Sequence, residues 1–127
     1  MSGTEYLLGT NMVIGLLKGQ ATAIALTEQA GLAADDKIAV SQISRMELLG
    51  FPRLTNEEDS AIRTFLATCR VRMLDERVEA QAIQLRRSGA FKLPDAIVAA
   101  TAISGGLRLL TLDRVMVQSL ERLGYAC

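Results

Sequence analysis

The sequence predicts an α/β fold, a three-layer α/β/α sandwich around a mostly parallel central sheet, and three observations carry that expectation. Short apolar runs at residues 5–8, 38–40, 71–74 and 107–110 alternate with helical stretches, the pattern that builds a parallel sheet covered on both faces. Residues 93–103 form a helix that is apolar on every side from Ala96 to Ile103 except at Thr101, as expected of a helix buried all round. Glycines, prolines and polar clusters punctuate these stretches, with no internal repeat, linker or low-complexity segment between them.

Taken in order, residues 5–8 are a short strand that runs into the polar turn Gly9-Thr10-Asn11, and residues 12–17 are a short apolar helix. Lys18-Gly19-Gln20 interrupts it, and residues 21–32 resume a helix of high propensity, ended by Gly31 and the polar Asp35-Asp36-Lys37 turn. Its largely apolar surface suits either the core or a partner. A brief buried strand at 38–40 leads to a helix at 41–49 that Gly50 and Pro52 bring to an end. Ser44 and Glu47 have the spacing of a capping box, so Glu47 has a structural explanation as well as a chemical one.

Thr55 and Glu58 form a second such box, opening a helix whose apolar positions Ala61, Ile62, Phe65, Leu66 and Cys69 keep helical spacing. After a third strand at 71–74, Asp75 is placed to cap a helix over 76–87 with acids in its first turn and Arg86-Arg87 in its last, which suits the helix dipole. Ser88-Gly89 ends it. Pro94 suits the first turn of the next helix, where Asp95 offsets the dipole by roughly 0.3 to 1 kcal/mol, and Gly105-Gly106 closes it. The fourth strand, 107–110, delivers Thr111-Leu112-Asp113, and Asp113 can cap the helix begun by Arg114. Helix is expected over 115–123, and an edge strand over 124–127.

At 127 residues the chain is expected to be a single domain spanning 1–127, long enough to bury a core without disulfides or a structural metal. Fourteen basic residues balance fourteen acidic ones, so no global field draws it to nucleic acid, and a polyanion would have to be held locally. All the bases except Lys18, Lys37 and Lys92 are arginine; Arg45, Arg86 and Arg114 are candidates for such local contacts. Two distant cysteines, Cys69 and Cys127, read as reduced thiols, and no stretch is long enough to span a bilayer, so a cytoplasmic protein with no membrane partner is expected.

The most useful count is zero histidines, which removes Ser-His and Cys-His nucleophile systems, His-Glu zinc motifs and nucleases that rely on imidazole. Carboxylates are the chemistry that remains. Nucleotide fingerprints fare poorly, because the glycine at position 9 is followed five residues later by Ile14 rather than by Gly-Lys-Ser. In parallel sheets ligands bind beyond the carboxyl ends of the strands. Gly9 to Asn11 follow strand one, Glu47 lies in the helix after strand two, and Thr111 to Asp113 follow strand four. Asp95 joins them only if its loop rises to the same crevice.

Four segments then carry a resemblance: Tyr6-Leu7-Leu8-Gly9-Thr10-Asn11, Glu47 within Ser44-Arg45-Met46-Glu47-Leu48, Leu93-Pro94-Asp95-Ala96, and Leu110-Thr111-Leu112-Asp113. In register over essentially the whole chain, they resemble a PIN domain of the VapC type, the toxin of a toxin–antitoxin pair. That resemblance implies a metal-dependent endoribonuclease using Mg²⁺ or Mn²⁺, silenced by a cognate antitoxin and commonly a homodimer. Carried over, Glu47, Asp95 and Asp113 occupy three of the family's four acidic metal positions, with Asn11 and Thr111 as supporting polar residues. The fourth position departs: Gly9 stands where the family has its first acid, so activity in this chain is expected to be impaired. The alternative is a pseudo-nuclease that binds RNA or an antitoxin without cutting; a third reading is a small α/β scaffold domain whose acids are all caps. Gly9 itself has competing explanations: a degenerate site, a disarming substitution, or a backbone needing positive φ.

Overall fold

The computed structural model describes residues 5–32 and 37–125. Strands β1 (Glu5–Leu8), β2 (Lys37–Ser41), β3 (Arg70–Arg72) and β4 (Arg108–Leu110) form a four-stranded sheet, parallel throughout, in the order β3-β2-β1-β4. Between and after them run α1 (Thr10–Leu17), α2 (Ala21–Gln29), α3 (Gln42–Leu49), α4 (Asn56–Ala67), α5 (Glu76–Arg87), α6 (Leu93–Gly105) and α7 (Arg114–Arg122).

Strand side chains alternate between two faces, and each face has its own core. Leu7 is in register with Ala39 on one side and Leu109 on the other, and all three pack with Val78, Ala82 and Leu85 of α5, the buried stretch of α6, and Met116 and Leu120 of α7. One residue along, Tyr6, Leu8, Val40 and Leu110 face the opposite layer: Met12 and Val13 of α1, Ala23 of α2, Leu48 of α3, and Ile62 and Leu66 of α4. Two helical layers around a parallel sheet are the predicted sandwich. Helix α6 buries every residue from Ala96 to Ala102; the hydroxyl of its one polar member, Thr101, donates to the Ile97 carbonyl at 2.7 Å. Among the described residues no helix is long and apolar enough to cross a membrane.

Several expected boundaries move, each for a physical reason. Helix α1 starts at Thr10, because Gly9 is already its N-cap, and α2 stops at Gln29 with only Ala23 buried, while Gly31 at φ 70° turns the chain. Most of the surface of α2 therefore lies outside the core. Strand β3 begins at Arg70, since Arg70 and Arg72 reach Glu5 of β1 at 3.6 and 2.8 Å, and Met73 and Leu74 emerge exposed beyond it. The expected edge strand is absent at Gly124 and Tyr125: Gly124 adopts φ 90° and the Tyr125 N–H donates back to the Leu120 carbonyl at 2.9 Å. Its last two residues, and positions 35 and 36 of the predicted turn, lie outside the described residues.

The capping box expected at Ser44 and Glu47 is also corrected. Ser41 caps α3, accepting from the Ser44 N–H at 3.1 Å, so Ser44 sits in the first turn and Glu47 lies well inside the helix. The box at Thr55 and Glu58 and the Asp75 cap form as predicted.

Candidate functional site

With β1 between β2 and β4, the winding of the sheet reverses between β1 and β4, and the crevice beyond the carboxyl ends of such a strand pair is where open α/β sheets hold ligands. The two strand exits lie side by side, the Gly9 N–H donating to the Leu110 carbonyl at 2.9 Å. A cavity of about 320 Å³ opens there, lined by Gly9, Thr10, Asn11, Glu47, Phe51, Asp95, Val98 and Met116. A larger one, about 440 Å³, lies between α5 and α6, but its walls are chiefly aliphatic and include none of the acids singled out above.

Asp95 rises into the crevice from the first turn of α6, beneath a helix start that Lys92 caps through its backbone alone. Burial raises its carboxyl pKa above the usual range, and the nearby charges of Asp113 and Glu47 raise it further, against a weaker opposing pull from Lys92. Asp95 is thus within electrostatic reach of both other acids. A raised folded-state pKa means that the ionised form is a cost at neutral pH, relieved as pH falls through that pKa. Asp95→Asn should therefore melt higher than the parent in chelator at pH 7, by less than the roughly 1.4 kcal/mol per pKa unit because the group is partly solvated, with the difference closing toward pH 4. Thermal melts across that range check it.

Asp113 does cap its helix: one carboxyl oxygen, Oδ1, accepts from the Met116 N–H at 3.0 Å, and its own N–H donates to Thr111 Oγ1 at 3.1 Å. Thr111 is buried beside Gly9, and Asn11 is an exposed residue of the cavity wall. Among the described residues, no three acidic or thiol side chains gather into a group ready to hold a metal.

Gly9 is not held there by its backbone. Its φ of −69° and ψ of 161° are extended geometry open to any residue, which removes the positive-φ explanation. A Cβ at this position would meet Thr111 Oγ1 at 3.3 Å and Thr111 Cβ at 3.4 Å, so a side chain requires a shift of a few tenths of an ångström. Arg45, Arg86 and Arg114 are all exposed, but Arg86 donates to the Phe91 carbonyl at 2.7 Å and lines the other cavity.

Sequence reasoning gave Thr10 no role at the site and Ser44 only that of a cap. Thr10 Oγ1 lies 2.7 Å from Glu47 Oε1 and 2.9 Å from Ser44 Oγ, which in turn is 3.0 Å from Ser41 Oγ. The signal was present in the Ser41-x-x-Ser44 spacing and in Thr10 between two residues already under scrutiny.

A parallel sheet with carboxylates at its switch point, between two helical layers, places the chain among the open-sheet α/β proteins. Within that class, the PIN-domain family model matches residues 6–119, and the chain belongs to the PIN-domain family. Its fold is similar to a chain of the DNA-bound VapBC structure from Salmonella typhimurium (TM-score 0.76, 22% identity, 97% of this chain and 95% of that one). It is also similar to a chain of a toxin–antitoxin complex from Klebsiella pneumoniae (TM-score 0.73, 26% identity, 96% of this chain and 99% of that one). Comparison with curated proteins returns no match.

Proposed function

We propose that this chain is a metal-dependent endoribonuclease toxin of a toxin–antitoxin pair, its activity impaired by the glycine at position 9. The observation that carries the reading is that Glu47 and Asp95, from α3 and α6, line one cavity at the switch point with Asp113 in electrostatic reach of Asp95. Residues that served only as helix caps have no reason to approach one another, and neither Glu47 nor Asp95 is a cap. The side-chain oxygens here are carboxylate, hydroxyl and amide, which suits a hard ion such as Mg²⁺ or Mn²⁺ held by one or two carboxylates with water completing its shell, and does not suit an all-protein cage. Such an ion lowers the pKa of bound water and offsets charge at a scissile phosphate. Asp95, Glu47 and the Asp113 oxygen not used in capping would hold it, with Asn11 and Thr111 alongside.

An antitoxin partner is supported by the likeness to chains solved in VapBC and toxin–antitoxin complexes. A second copy is a further proposed partner, supported by exposed Met73, Leu74, Ile83 and Leu93 around α5 and the start of α6. RNA is the proposed substrate and the cytoplasm the proposed compartment. In Mn²⁺, cleavage of an RNA pool at discrete sites that is lost in Asp95→Asn is the expected result; equal cleavage by both proteins would sink the site.

Binding without cleavage is the second reading, favoured by Gly9 and by the lack of a three-acid group among the described residues. It expects salt-dependent RNA retention with a slope of roughly 0.7 per phosphate contact, reduced in Arg45→Ala and Arg114→Ala.

A further inference from the structure

Ser44 is fully buried in the first turn of α3, where a serine hydroxyl has no helical carbonyl four residues earlier to bond to, because Val40 still belongs to β2. Its Oγ instead sits between Ser41 Oγ at 3.0 Å and Thr10 Oγ1 at 2.9 Å, and Thr10 reaches Glu47 Oε1 at 2.7 Å. Each hydroxyl has one proton to give, and an ionised carboxylate can only accept. The chain therefore has one direction: the Ser44 N–H donates to Ser41, the Ser41 hydroxyl to Ser44, the Ser44 hydroxyl to Thr10, and the Thr10 hydroxyl to Glu47. Bonds aligned in this way polarise one another, and the last is strengthened by the charge of its acceptor. Capping α3 requires Ser41 alone, so the two further hydroxyls need another explanation. They link the cap of α3 to the start of α1 and end on a residue of the acidic cavity.

We propose that Ser41, Ser44 and Thr10 form a hydroxyl relay whose role is to position the Glu47 carboxylate for a divalent cation, an assignment that rests on the nuclease reading above. Thr10 engages Oε1 at 2.7 Å and so restricts how the carboxylate can turn, leaving Oε2 and the second lone pair of Oε1 open. These are positioning residues: they act through Glu47.

The test uses Thr10→Val, which keeps the shape and removes the hydroxyl, with Thr10→Ser as the rescue and Ser44→Ala one link further back. Two quantities are read in the full chain and again in a Gly9→Asp background: the ¹³C carboxyl resonance of Glu47 without metal, and Mn²⁺ affinity by calorimetric titration. Thr10→Val should shift the resonance and weaken Mn²⁺ binding about 10- to 100-fold, the usual loss when an outer partner of a metal ligand is removed, and Thr10→Ser should restore both. Ser44→Ala should move the resonance in the same direction by a smaller amount. A Glu47 resonance indifferent to Thr10→Val overturns the relay itself. A shifted resonance with unchanged Mn²⁺ affinity overturns its role in cation binding. If neither the parent nor Gly9→Asp binds Mn²⁺ while the resonance still responds to Thr10→Val, the nuclease reading fails and takes the cation role with it, leaving only the hydrogen-bond chain.

Discussion

Replacing Gly9 with aspartate should convert a chain that cuts RNA slowly or not at all into one that cleaves it in Mn²⁺, with a gain of at least about 100-fold, the upper end of what even an outer partner of a metal site contributes. The backbone at position 9 accepts the substitution, since φ −69° and ψ 161° suit aspartate as they do any residue, and aspartate is a favoured N-cap for α1, which Gly9 caps without a side chain. Two costs oppose this. The new Cβ presses on Thr111, and the new charge adds to a cluster in which Asp95 already titrates high. Gly9→Asn carries the first cost without the second. In chelator, Gly9→Asp should therefore melt below both the parent and Gly9→Asn. Adding Mn²⁺ to about 100 times its dissociation constant should return roughly 2.7 kcal/mol, on the order of 10 °C for a chain of this size, to the aspartate variant and little to the asparagine one. A Gly9→Asp protein that gains no stability from metal and leaves RNA intact would make binding without cleavage the better account.

Leu7→Ala is expected to be the most damaging single truncation in the sheet, costing about 3 to 5 kcal/mol. Leu7 is completely buried, in register with Ala39 and Leu109, and packed against the layer formed by α5, α6 and α7. Four alanines of the same buried cluster, Ala39, Ala96, Ala99 and Ala100, have no long side chain to swing into the void. The cavity would persist, and a loss of that size is a large share of the roughly 5 to 15 kcal/mol that holds a typical domain folded. Urea unfolding should show a lower midpoint with an unchanged slope; a loss under about 1 kcal/mol would mean that the layer can close around the gap.

The sheet was legible because its evidence is local. Short apolar runs with turn residues on either side mark β1, β2 and β4, and the stretch from Ala96 to Ile103, apolar except at Thr101, announces a central helix without reference to anything distant. Helix α5 is readable to the residue because Asp75 and Ser88-Gly89 punctuate it. What escaped depends on pairing. Strand β3 is displaced toward Arg70 by an ion pair with Glu5, a partner 67 positions away from Arg72, and no local pattern of Val71 to Leu74 contains that information. The capping explanation of Glu47 stayed open beside the chemical one because spacing alone cannot say whether Ser41 or Ser44 opens the helix. For the crevice, Gly9, Glu47, Asp95 and Asp113 could be singled out in sequence, but the hydroxyls behind Glu47 become visible only when α1 and α3 lie side by side.

The dual bonding of Asp113 has a consequence for how this crevice changes over generations. Its carboxylate secures α7 through the Met116 N–H, so the fold alone gives a reason to keep an oxygen acceptor there, whatever happens to catalysis. Asp95 makes no capping bond, and although it lies in the first turn of α6, burial and its acidic neighbours make its charge a net burden on the metal-free protein. Position 9, the residue between β1 and α1, keeps ordinary extended geometry and caps its helix with no side chain at all. On the function proposed above, a lineage relieved of the need to cut RNA would shed its acids in an order set by folding: those after β1 and in α6 first, each with a gain in stability, and Asp113 last.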